Sequence, residues 1–249
     1  MPDCFPYLMA NETMHSKWQY VRRSLTPETE KTLGTGGFPP MYDLSSENIR
    51  CGRNSTSTGA QSDVATIEAG SKVGFRPDLY PKSWCVGCGQ PQQPYFHDGP
   101  LFAYLAKSPQ QTKEGLQTWD GNGDFFKIAQ RGPYNDSWWW WDVISNNKTL
   151  FSEWNFTIPR ATPPGFYLLR MDSIFPKPEF NRTQFYASCA QVEIVGSEDG
   201  GAQPGPTVRF PGAFDNYDPG VLLPAELWPG KNLTKYKMPG PPVWTGREG

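Results

Sequence analysis

Histidine is scarce in this 249-residue chain, occurring only as His15 and His97. Neither lies beside a nucleophile motif, so nothing favours a Ser-His-Asp hydrolase. No pair of carboxylates stands out as a glycosidase pair either. Charge is also thin: 19% of residues are charged, the net charge is −2 and the pI is near 5.8. A basic surplus is missing, which removes the electrostatic case for nucleic acid or an anionic membrane surface. No apolar run approaches the ~18 residues of a membrane span, and the first residues do not read as a signal peptide. The chain is therefore expected to begin near a mature end.

Gly (25), Pro (26) and aromatic residues (14%) are plentiful instead. That balance favours many short strands and long ordered loops over helices. Residues 1–249 suffice for one buried core and are expected to form one domain. The stretch Thr183 to Gly196 organises the rest. At a period of two, Gln184 and Tyr186 share a face with Ala190, Val192 and Ile194, and Cys189 points the other way. Trp154 to Ile158 and Pro164 to Asp172 read as two further strands, making an antiparallel sheet with it. Strands are also predicted at Phe5–Met9, Trp18–Arg22, Leu101–Ala106 and Phe125–Ile128, with two more in Val64–Phe75 around a Gly turn. Residues 213–244 read as an extended segment laid over the sheets.

Five cysteines and seven Asn-X-Ser/Thr sequons point to secretion and glycosylation. The sequons start at Asn11, Asn54, Asn135, Asn147, Asn155, Asn181 and Asn232. Cys51 and Cys189 fall in predicted strand contexts and suggest an inter-sheet disulfide. Cys4, Cys85 and Cys88 remain, and a loop disulfide suits two of them better than zinc, since neighbouring ligands are missing. Asp120 to Asp124 lacks the spaced carboxylates of a calcium loop and reads as a turn. Alternation through Trp138 to Trp141 sends two rings inward and two outward, to stack on sugars or to pack beneath a loop.

Ten short runs share an order and spacing. They are Trp18-Gln-Tyr-Val-Arg22, Ile49-Arg-Cys51, His97-Asp-Gly-Pro100, Tyr104-Leu-Ala-Lys107 and Gly123-Asp-Phe-Phe-Lys-Ile128. Pro164-Gly-Phe-Tyr-Leu-Leu-Arg170, Gln184-Phe-Tyr-Ala-Ser-Cys-Ala-Gln191, Phe210-Pro-Gly-Ala-Phe214, Asp218-Pro-Gly220 and Pro239-Gly-Pro241 follow. Together they resemble the fungal lytic polysaccharide monooxygenases of auxiliary activity family 9. The resemblance implies an all-β fold: an immunoglobulin- or fibronectin-like antiparallel β-sandwich with long loops, a flat face and an extended C-terminal segment. It further implies a secreted, extracellular monomer acting on cellulose, xylan or another β-glucan.

Active members hold copper through an N-terminal histidine and an internal histidine, with an axial tyrosine and an oxygen-handling glutamine. Nitrogen ligands in that array suit Cu(II). Carried over by position, His97 falls on the internal ligand, Tyr186 on the axial tyrosine and Gln184 on the glutamine. Tyr236 resembles the C-terminal surface tyrosine, and Trp228 is a second candidate sugar contact; packing is the competing role for both. Two departures stand out. Pro2 falls where the N-terminal histidine is expected, and Met171 to Thr183 holds no counterpart of the further, non-ligating histidine that works with the glutamine in active members. Phe175-Pro-Lys-Pro-Glu179 is rewritten. A site with one imidazole is expected to bind copper weakly or not at all. Two outcomes follow: a polysaccharide-binding protein without copper oxidation, or an active monooxygenase whose mature chain starts with histidine.

Overall fold

The computed structural model describes residues 5–24, 40–77, 97–140, 153–196 and 203–246. The strands are β1 (Tyr7–Ala10), β2 (Thr13–Met14), β3 (Ala65–Glu68), β4 (Lys72–Arg76), β5 (Leu101–Lys107), β6 (Phe125–Arg131), β7 (Trp154–Thr157), β8 (Gly165–Phe175), β9 (Gln184–Val195) and β10 (Thr207–Val208). A short helix, α1 (Lys113–Thr118), follows β5, its amide end capped by the Thr112 hydroxyl accepting from Gly115 N–H. The strands make two sheets, ordered β2-β1-β4-β7 and β10-β6-β5-β8-β9-β3.

The inner faces of both sheets enclose the main core. Leu8, Val73, Phe75, Trp154 and Phe156 meet Leu101, Leu105, Leu169, Met171, Val192 and Ile194 there. The larger sheet is buried on its second face too. Phe102, Tyr104, Phe125, Ile174 and Phe185 pack there under Phe210, Phe214 and Val221 of the C-terminal segment. Two-sided burial explains why β5 is an unbroken apolar run and not an alternating one. The extended reading of residues 213–244 holds, and Trp244 goes further by entering the main core against Phe126.

Several expectations are corrected. Trp18–Arg22 is a turn with a single bridge, Val21 to Ala190, and Trp18 sits at φ 63°. The segment is held as an edge cover: Arg22 N–H donates to Cys189 O (2.9 Å) and Gln191 N–H to Tyr20 O (2.8 Å). The two strands around Gly70 do not form a hairpin, because β3 joins the larger sheet and β4 the smaller. β3 also runs parallel to β9, so the sandwich is not wholly antiparallel. β7 pairs with β4 in the smaller sheet, which leaves only β8 and β9 paired among the three strands grouped by sequence. Cys51 and Cys189 do form a disulfide. Cys51, however, follows a 3-10 turn (Glu47–Ile49), so the bridge ties a loop to β9 and not sheet to sheet.

That loop is held a second time by Arg170 on β8. Its guanidinium is fully buried, donating to Arg50 O (2.8 Å), Ile49 O (3.1 Å) and Asp172 Oδ2 (2.9 Å). It also lies 3.7 Å from the Phe210 ring centroid. A buried charge of this kind is costly to leave without its partner. Arg170→Met is therefore expected to cost about 3–5 kcal/mol in urea unfolding. Burial pushes the Asp172 carboxyl up to about 6, against the pull of Arg170 and Lys127. A raised native value stabilises the fold fully below the ordinary value of 3.8, and that contribution is lost as pH rises through 6. Wild type is expected to lose stability relative to Asp172→Asn between pH 4 and pH 7, read from paired urea titrations at the two pH values.

Candidate functional site

The site lies at the end of the β8–β9 ladder. Register places Phe175 opposite Gln184 and Ser173 opposite Tyr186, so all four side chains share a face. As the sequence implied, Gln184 and Tyr186 sit together: the Tyr186 hydroxyl donates to Gln184 Oε1. Tyr186 is buried and Gln184 half-buried.

His97 reaches this face through its own short motif. Ile174 N–H donates to Pro100 O (3.2 Å), drawing the chain against the end of β8. Gly99 permits that approach, since a Cβ there would stand 1.8 Å from Ile174 O. The imidazole is 6% exposed and stacks on Tyr186, with centroids 5.5 Å apart. It also stacks flat on Phe175, at 4.6 Å and an interplanar angle of 1°. Beyond Phe175 come Trp228, at 6.0 Å, and the Lys177 ammonium, 3.7 Å from the Phe175 centroid and 4.1 Å from that of Trp228. Lys177 is anchored by a backbone bridge to Leu222 and by its N–H donating to Thr183 Oγ1 (2.9 Å).

Burial lowers the His97 pKa to about 4; Asp98 opposes this and Lys177 adds to it. The ring is thus a neutral imidazole at neutral pH.

A sequence model described as Auxiliary Activity family 9 (formerly GH61) matches residues 4–236. This chain belongs to auxiliary activity family 9. It is 38% identical over 255 residues to AA9 family lytic polysaccharide monooxygenase U of Thermothielavioides terrestris, covering 96% of this chain and 90% of that protein. Monooxygenase H of Malbranchea cinnamomea is likewise 38% identical, over 248 residues, covering 97% of this chain and 91% of its own. Among solved structures, HiLPMO9B superposes with a TM-score of 0.72 at 24% identity, covering 97% of this chain and 99% of its own. A cellulose-active polysaccharide monooxygenase from M. thermophila gives 0.67 at 21% identity, covering 97% and 98%. These two likenesses carry the fold, which is that of a lytic polysaccharide monooxygenase β-sandwich.

Auxiliary activity family 9 enzymes depend on copper, so the donor set must be tested for fit. Among the described residues it comprises one imidazole, one phenol and one amide, and a lysine ammonium lies 3.7 Å from the centroid of the ring stacked on the imidazole. Among the described residues, no group of three His, Cys, Asp or Glu side chains could hold a metal. His15 does not join the site; it meets Tyr20 edge-on at 4.8 Å. The described residues therefore do not fit a copper centre by themselves.

The sugar-contact candidates divide. Tyr236 is 8% exposed, with its hydroxyl donating to Gly220 O (2.5 Å) and its ring edge-on to Trp139. It offers no open face, and packing is the role this placement supports. Trp228 is half-buried beside Phe175. Of the tryptophan run, Trp138 is 48% exposed, Trp139 is buried and Trp140 is half-buried under Arg131. Strand alternation does not carry through the run: Trp139 packs with Leu227 and Tyr236, the next ring, Trp140, packs against the main core, and Trp141 lies outside the described residues. Cys4, Cys85, Cys88 and Asn147 lie outside them as well. The turn at Asp120 to Asp124 is tied by ion pairs to Arg50 and Arg209.

Phe175 and Lys177 were missed as site residues. Their signal was the rewritten run after β8, which marked where the chain departs from its family without saying what the new side chains touch. Because the native His97 pKa is lowered from 6.5, its contribution to stability is complete above pH 6.5 and is lost as pH falls towards 4. The His97 ring proton resonances are expected to stay constant from pH 7.5 down to 5.5 in an NMR titration and to move only near pH 4.

Proposed function

We propose that this chain is a secreted, monomeric family member that binds cell-wall polysaccharide and does not carry out copper-dependent oxidation. One observation carries the reading: Phe175 lies flat on His97, and the Lys177 ammonium is held against Phe175 and Trp228. A fixed positive charge close to the imidazole opposes a divalent cation there. The same aromatic group suits a pyranose, whose C–H face packs on a ring while its hydroxyls meet polar neighbours. Cellulose, xylan and other β-glucans are the substrate classes in view. Residues 1–249 act in this reading as one domain.

In the binding role, Trp228 supplies apolar area, and Lys177 and Gln184 offer polar contacts. Retention on cellulose, xylan and β-glucan is expected, and Trp228→Ala is expected to reduce it by up to about tenfold, measured by pull-down. Calorimetry of the mature secreted protein should show no sub-micromolar copper site, and no oxidised oligosaccharides should form with a reductant and peroxide. Absence of retention on every polysaccharide would remove the binding role.

A second reading is favoured by the preserved grouping of a neutral His97 with Tyr186 and Gln184. It is an active copper monooxygenase whose mature chain starts with histidine. Sequencing the mature amino terminus together with the copper titration separates the two readings: a histidine start with tight copper binding selects the second.

A further inference from the structure

Two aromatic rings stand out on the surface away from the His97 stack. Phe180 is 47% exposed and Tyr217 is 75% exposed, the highest value among the large hydrophobic side chains described. They lie side by side, centroids 5.1 Å apart at 38°. One comes from the link between β8 and β9, the other from the C-terminal segment. Beside them opens a shallow groove of about 750 Å³, whose walls include Tyr42, Asp43, Asn181, Asp215 and Asn216. The chain neighbours of both rings thus line the same groove.

Asn181 begins the sequon Asn181-Arg-Thr183. It is exposed and left-handed, at φ 57°, in a turn where Arg182 N–H donates to Glu179 O (3.2 Å). Its side-chain amide makes no hydrogen bond among the described residues. Of the other sequon asparagines, Asn11, Asn155 and Asn232 have a committed amide nitrogen. Asn11 Nδ2 donates to Thr66 O (3.3 Å) and Asn232 Nδ2 to Glu226 O (3.5 Å). Asn135 Oδ1 accepts from the Ser137 and Trp138 amides. Asn155 is half-buried on β7, with Nδ2 donating to Glu153 Oε1 (2.9 Å), in the space a Cβ on Gly74 would fill. Asn181 combines an uncommitted amide nitrogen with two exposed rings that already lie side by side; Asn135 also keeps its amide nitrogen, between Tyr134 and Trp138, but no such ring pair is found there among the described residues.

We propose that Asn181 carries an N-linked glycan whose first N-acetylglucosamine packs on Phe180 and Tyr217. The following sugars run into the groove, where Asp43 and Asp215 accept hydroxyl donors. The apolar face of the sugar covers rings that otherwise meet water. In the attachment step, Asn181 Nδ2 forms the bond to the anomeric carbon of a lipid-diphosphate-linked oligosaccharide. The carbon–oxygen bond to the diphosphate breaks, the amide loses one proton and the lipid diphosphate departs. Thr183 is buried in the folded chain, its Oγ1 donating to Val221 O (2.6 Å), so transfer precedes docking of this loop. The proposal rests on secretion, and the experiment separates the two claims.

The protein is secreted from a fungal host, and glycopeptide mass spectrometry reads occupancy at each sequon. Endoglycosidase H then leaves a single N-acetylglucosamine. Asn181 is expected to be occupied, and the trimmed protein to melt roughly 2–4 °C above Asn181→Gln. That difference is expected to vanish in the Phe180→Ala/Tyr217→Ala background, and nuclear Overhauser contacts should join the sugar to the Tyr217 ring. If Asn181→Gln is not secreted, complete removal of the glycan by an amidase from the folded protein supplies the same comparison. A secreted protein bare at Asn181 overturns the proposal while leaving secretion intact. Equal melting with and without the sugar overturns it too. So does a groove that binds added cello-oligosaccharide equally well in the glycosylated and bare forms.

Discussion

Burial of β9 on both faces is the constraint on which the rest depends. Tyr186, Ala190, Val192 and Ile194 enter the inter-sheet core, while Phe185, Ala187 and Cys189 enter the outer layer or the disulfide cluster. A shift of one residue in register would exchange the two sets. β8 fixes the register over eleven residue pairs on one side. On the other side the edge is covered in three pieces: Met41 at Phe185, Val21 at Ala190, and β3 from Val192 onwards. An edge so covered offers no row of unpaired amides to another chain.

The outer layer carries charge where apolar packing would be expected. Arg170 holds the carbonyls of Ile49 and Arg50, and Lys127 donates to Pro239 O (2.8 Å) and Gln130 Oε1 (3.0 Å). Desolvation lowers the Lys127 pKa to about 8, against the pull of Asp172 and Asp218. These cations sit under segments with little regular structure, whose backbone carbonyls lack ladder partners. A guanidinium with several donors satisfies several such carbonyls at once. The same loop is tied by Cys51 to Cys189, so one covalent and one ionic tether act within two residues of each other.

At the far end of β9 the scaffold of an oxidative enzyme meets side chains of a different kind. Gly99 and the β8–β9 register bring His97, Tyr186 and Gln184 together as the family pattern implies. Phe175, Lys177 and Trp228 then fill the remaining side with rings and a cation. The result favours an apolar face with polar edges over a set of nitrogen ligands. The same physics recurs at Phe180 and Tyr217, where ring faces are open and a modifiable amide stands next to them.

Local pattern was enough for the elements whose partners are implied by their own periodicity. β1, β5, β6, β8 and β9 were legible because apolar spacing and flanking Gly or Pro mark a strand wherever it lies. The shared face of Gln184 and Tyr186, and Cys189 opposite to it, follow from the pleat alone. Which sheet a strand joins was not legible, as β3 and β4 demonstrate: a Gly70 turn reads alike in a hairpin and in a crossing between layers. Nor was the fate of Tyr236, exposed by resemblance yet sealed beneath Trp139 by the fold. The sequence by itself determined the family and most of the long strands, since these depend on residue identity and spacing along the chain. Only the tertiary structure decided that Phe175 covers His97 and that Lys177 is held over it, because those contacts join segments whose spacing in sequence carries no distance information.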